Sequence, residues 1–154
     1  MRSPFRLLLL AALAVGLSLP VFAQDSPIGR WYTIDDEDGT RKSIVEVYEA
    51  GDKLQGRIIT LIGPDGNTDQ TCEECAEGFD GLELDGVVIL TGMADDDGNG
   101  EFTGGRITDP KSGKQYKAKM KLNDDGNLEV RGYLGISLLG RTQVWEPAAP
   151  DATE

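Results

Sequence analysis

Between Gln115 and Leu122 the chain alternates strictly: Tyr116, Ala118, Met120 and Leu122 are apolar, and Lys117, Lys119 and Lys121 separate them. A β-strand turns successive side chains to opposite faces, so this run predicts a strand with one buried and one wetted face. After the polar turn Asn123–Gly126, the residues Leu128, Val130, Gly132 and Leu134 continue the apolar set around Glu129 and Arg131. The residues between the two runs tolerate left-handed backbone, which makes the pair a hairpin.

The same reading applies along the rest of the chain. Asp38-Gly39, Ala50-Gly51-Asp52, Asp65-Gly66-Asn67 and Asp97-Gly98-Asn99-Gly100 punctuate short runs rich in β-branched and aromatic residues. Eight strands are predicted, over roughly 28–35, 41–49, 53–62, 87–93, 101–108, 114–122, 127–135 and 140–146. Most connections are short enough only for antiparallel neighbours, so the economical topology is an up-and-down meander. Eight meandering strands leave two open edges unless the sheet closes, and the expected fold is an all-β, eight-stranded antiparallel barrel. The long interruption is 63–86, with room for a helical turn around Phe79–Leu84. The proline- and acid-containing tail from Pro147 is expected to fray, leaving an ordered core of about 27–147.

The beginning of the chain follows a different pattern. Arg2 and Arg6 precede an apolar run from Leu7 to Leu19, and Pro20 then leads to Val21-Phe22-Ala23. A charged start, a short apolar run and a small-x-small site define a secretory signal with cleavage near Ala23. The run is shorter than the roughly 20 residues that span a bilayer. Residues 1–23 are therefore expected to be removed and 24–154 to form one domain in the periplasm or outside the cell. Gln24 follows the cleavage site, where a lipid anchor would require cysteine. No second apolar run is long enough to span a membrane.

Charge narrows the partners. The formal net charge is −12, and the signal removes two arginines and no acid, so the exported part is more acidic still. Such a surface repels phosphate backbones and anionic lipid headgroups, which argues against nucleic acid and against membrane adhesion. The chain contains no histidine, which removes histidine-based triads and the usual zinc and iron sites.

Three motifs carry candidate chemistry. Cys72-Glu73-Glu74-Cys75 lies in the long loop, and in an oxidising compartment a local disulfide between Cys72 and Cys75 is the expectation. A redox-active dithiol is the competing reading, although the βαβ context is missing and the two glutamates disfavour a thiolate. A zinc site lacks two further ligands. Asp95-Asp96-Asp97-Gly98-Asn99-Gly100 matches the first half of an EF-hand loop, but Arg106 stands where the closing glutamate belongs. A solvated hairpin turn is expected there, as at Asp35-Asp36-Glu37-Asp38. The strand carboxylates Glu46 and Glu129 point outward by alternation. No catalytic constellation, resident cofactor or metal site emerges.

Gly29-x-Trp31 opens the first strand and Arg141 lies on the last. If the barrel closes, these strands become neighbours, and an arginine laid across the tryptophan would seal one end through a cation–π contact. Gly29, Trp31 and Arg141 together resemble the lipocalin (calycin) signature. A wider set follows in order. It comprises Leu54-x-Gly56-x-Ile58, Gly104-Gly105-Arg106-Ile107-Thr108-Asp109-Pro110, Gly113-Lys114-Gln115-Tyr116, Leu128-Glu129-Val130-Arg131-Gly132 and Gly140-Arg141-Thr142-Gln143-Val144-Trp145. With Gly29-x-Trp31 this set resembles the exported bacterial domain-of-unknown-function family 2147. The resemblance implies a lipocalin-like barrel and implies no reaction.

Eight-stranded barrels are just wide enough to hold one small ligand. The expected function is a periplasmic binding module for a small apolar or amphipathic ligand, with Ile58, Tyr116, Met120 and Val130 lining the cavity. The alternatives are an envelope protein-interaction module with a side-chain-filled barrel, or a thiol–disulfide protein using Cys72 and Cys75.

Overall fold

The structure is a computed structural model, and it describes residues 26–63, 76–81 and 83–152. The signal segment and both cysteines lie outside the described residues. Eight strands follow one another: β1 (Gly29–Ile34), β2 (Arg41–Ala50), β3 (Lys53–Leu61), β4 (Val88–Met93), β5 (Glu101–Thr108), β6 (Gln115–Leu122), β7 (Leu128–Tyr133) and β8 (Gly140–Pro147). Each pairs antiparallel with the next, and β8 returns to β1, which closes the barrel. Closure gives each of the eight strands two neighbours. The strand bounds lie within two residues of those expected from alternation.

The hairpin read first from the sequence holds in register, with Met120 opposite Val130 and Leu122 opposite Leu128. The closing seam is brief: Trp31 faces Pro147 and Tyr32 faces Glu146. Because β1 runs from Gly29 toward the 35–40 turn, the connections at 35–40, 62–87, 109–114 and 134–139 gather at one end of the barrel. The turns after β2, β4 and β6 gather with the chain's entry at the other.

One contiguous core fills the barrel, including Trp31, Val45, Leu90, Met93, Met120 and Trp145, all essentially without solvent exposure. Glycine lets the strands approach closely. A Cβ on Gly105 would come within 2.5 Å of the Thr91 carbonyl and would collide with the Met93 thioether. Beside it Gly104, with φ of 74°, adopts a left-handed conformation that side chains rarely take.

Two details differ from expectation. β7 stops at Tyr133, and Leu134 is exposed rather than buried. The tail is tied down as far as Ala152: Ala148 donates its amide to Arg30 (2.9 Å), and an Arg30 guanidinium N–H donates to the Ala152 carbonyl (2.7 Å).

Candidate functional site

The two ends of the barrel differ. At the entry end, buried Trp31 donates its indole N–H to the Pro27 carbonyl, 2.8 Å away. Trp145 donates its own to the Gln143 side chain at 3.1 Å. A buried indole needs such a partner, so each tryptophan seats its apolar body in the core with its polar edge satisfied. Met93, Met120 and Leu128 pack into the same cluster, and this end forms a floor.

Toward the opposite end the inward side chains become more polar and more open. Thr33 and Ser43 share a hydrogen bond of 2.7 Å on the inner face of β1 and β2. Leu61, Ile107, Tyr116, Gly132 and Gln143 are only half-buried. Gly132 lets Ile107 and Tyr116 close over the β7 backbone, because a Cβ there would meet Ile107 at 3.3 Å and Tyr116 at 3.5 Å. The described part of the long loop covers one side of this end. Phe79 packs on the core, Leu84 is buried in it, and the Ala76 amide donates to the Pro110 carbonyl. We refer to this end as the mouth.

The sequence candidates divide along this axis. Ile58, Met120 and Val130 project inward and are buried within the core. Tyr116 projects inward at the mouth and is half-buried. Gly29 begins β1, and Trp31 lies in the floor. Arg141 corrects the expectation: it does not lie on Trp31. It forms an ion pair with Asp36 at the mouth end of the seam. Register is the reason, since Trp31 pairs with Pro147, six residues from Arg141, or roughly 20 Å at strand rise. The ion pair holds the Asp36 carboxyl below its usual value and raises the Arg141 guanidinium.

The cation–π contacts lie outside the barrel, with Arg41 3.9 Å from the Tyr32 ring centroid and Arg57 5.2 Å from that of Tyr48. Glu46 and Glu129 also face outward. Glu46 pairs with Arg57 at 2.6 Å and Glu129 with Lys121 at 3.6 Å. In the EF-hand-like turn, Asp95 accepts the amides of Asn99 (3.0 Å) and Gly100 (2.9 Å), one on each carboxylate oxygen. The carboxylate thus holds the turn, as the hairpin reading expects.

Residues 29–147 match the profile of a family described as uncharacterized proteins conserved in bacteria, DUF2147. The chain belongs to the DUF2147 family. Among solved structures it is similar to a Helicobacter pylori protein, HP1028, described as belonging to the lipocalin family. That likeness has a TM-score of 0.64 at 22% identity and covers 79% of this chain and 82% of the other. No curated protein matches. The DUF2147 barrel seen here is thus lipocalin-like in fold.

Proposed function

We propose that this DUF2147 domain is an exported, periplasmic binding module that takes a small ligand with an apolar body and a polar end into the mouth half of its barrel. The observation that carries this reading is the gradient along the barrel axis. The floor is sealed by two tryptophans and methionines, whereas Leu61, Ile107 and Tyr116 remain half-open beside Gln143, Thr33 and Ser43. Concave sites that pair an apolar wall with a few polar groups are the usual form of small-molecule pockets. Because the closed half is already packed, the ligand is short, with its chain against Ile107 and Tyr116 and its polar end near the rim. Ile58, Met120 and Val130 support that wall from below.

The test is a melting-temperature screen of the mature protein against fatty acids, lysolipids and small sterols. It is paired with a native mass spectrum of protein taken from its own host. A ligand at 100 times its Kd stabilises by about 2.7 kcal/mol, a readily measured shift. Ile107→Trp, which fills the mouth, should abolish the shift. A bare mass together with no shift from any compound would reject the reading. It would favour the second one, in which the filled core of Trp31, Trp145, Met93 and Met120 serves only as a scaffold for an envelope protein partner.

A further inference from the structure

The β7–β8 connection, Leu134-Gly135-Ile136-Ser137-Leu138-Leu139, carries no charge in a chain of net charge −12. Its four large apolar side chains are exposed by 62%, 61%, 82% and 72% in order. Scattered single apolar residues on a surface need no explanation, but four on one short connection do. They project from the mouth, beside the acidic β1–β2 turn to which β8 is joined by the Arg141–Asp36 pair.

The carbonyls at the tip of this loop are satisfied from within the protein. The Ile136 carbonyl accepts the Leu139 amide at 3.1 Å. The Ser137 carbonyl accepts Arg131 Nε at 2.7 Å, and the Leu138 carbonyl accepts Arg131 Nη2 at 3.2 Å. The remaining Arg131 nitrogen donates to the Thr142 hydroxyl at 2.7 Å. Three successive carbonyls at the tip therefore have donors from within the protein. A loop that stays in water gains little from this, because water would satisfy them; a loop that enters hydrocarbon must have it.

We infer that the β7–β8 loop docks the barrel mouth onto a lipid bilayer with zwitterionic, ammonium-bearing headgroups. Charge complementarity selects that surface. The neighbouring turn holds Asp35, Asp36, Glu37 and Asp38 against the two cations that pair with them, Lys42 and Arg141. This acidic excess favours outward-facing headgroup ammonium and opposes anionic lipid. Shape favours a bilayer over a folded partner. A short protruding tip enters a fluid phase without a matching cavity, whereas a protein interface usually needs about 800 Å² from each side. The inference does not depend on whether the barrel interior holds a ligand.

The experiment is flotation of the mature chain with vesicles of phosphatidylcholine alone, and with about a third of the lipid replaced by phosphatidylglycerol. The wild type should float with the neutral vesicles and several-fold less with the anionic ones. Leu138→Ser combined with Leu139→Ser should lose roughly tenfold or more, because two side chains leave the hydrocarbon. Val144→Ser, which removes an exposed apolar side chain from the barrel wall, should float as the wild type does. The proposal is overturned if the wild type fails to float with either vesicle, if the double variant floats equally well, or if Val144→Ser loses as much. It is equally overturned if the vesicles are ignored and sedimentation shows a dimer that the double variant dissolves, which would make the loop a contact between two copies of the chain.

Discussion

Trp31 and Pro27 are joined by a buried hydrogen bond, indole N–H to main-chain carbonyl, at 2.8 Å. The bond fixes the segment before β1 beneath the barrel while the indole ring fills the floor. Trp31→Ala should destabilise the domain by about 3–5 kcal/mol, the usual result of emptying a large aromatic site. Trp31→Phe should cost less, since it keeps most of the apolar bulk and loses the donor. Urea unfolding of the three proteins gives the order. A Trp31→Ala variant as stable as the wild type would contradict this account of the floor.

Arg141 gives the opposite prediction. Its partner is Asp36 on an exposed rim rather than the face of Trp31, and exposed ion pairs contribute little to stability. Arg141→Ala should leave the urea midpoint where it is, and the Asp36 carboxyl should then titrate nearer its ordinary value, followed by carbon NMR. A large fall in the midpoint would restore the arginine to a part in sealing the barrel.

The strands were legible because alternation is a local property: Gln115–Leu122 declares its two faces without reference to the rest of the chain. Closure was legible as well, since eight meandering strands have few other ways to dispose of their edges. The partner of Arg141 was not. Gly29, Trp31 and Arg141 specify residue types, but the β1–β8 offset that sets Trp31 against Pro147 exists only in the closed barrel. The half-open mouth was hidden for a similar reason. Alternation sets Tyr116, Met120 and Val130 on one inner face without saying how far along the axis solvent reaches. The start of the exposed loop, Leu134 and Gly135, was read as strand because Leu134 continues the period of β7. The available signal was Gly135 followed by three apolar residues in a connection too short to form another strand.

Gly105→Ala tests the packing of β4 on β5. The new methyl group would press on the Thr91 carbonyl within 2.5 Å and on the Met93 side chain. The thioether can rotate away but the backbone carbonyl cannot, so the strands must separate. A loss of about 1–3 kcal/mol or more is expected, measured by thermal unfolding. An unchanged melting temperature would mean that the two strands are further apart than described.

The β1–β2 turn should depend on acid. Asp38 accepts from the Thr40 hydroxyl and amide and from Lys42, and these bonds hold its carboxyl down to about 2, from 3.8. A lowered carboxyl contributes order that is fully present above its ordinary value and is lost as pH falls through the lowered one. The turn should stay intact at pH 4 and loosen as pH approaches about 2. The carboxyl carbon of Asp38, followed by NMR, should show its midpoint there. A midpoint at the ordinary value of 3.8 would remove the turn's hydrogen bonds from the account.

Arg131→Lys separates the two properties of the β7–β8 loop. Lysine keeps the charge but lacks the planar fork that reaches Ser137, Leu138 and Thr142 together. The amides of the loop should exchange with solvent faster, and the domain should lose about 1–3 kcal/mol, as expected when bonds from a charged donor are removed. All four apolar side chains remain, so simple greasiness predicts unchanged flotation with phosphatidylcholine vesicles. The carbonyl argument predicts a loss, because Ser137 and Leu138 would enter the hydrocarbon with unpaired oxygens. Reduced flotation of a variant that is still fully folded at the assay temperature would show that the tie serves the docked state. Unchanged flotation with faster exchange would leave the apolar tip as the whole of the docking device and Arg131 as a brace for the loop alone.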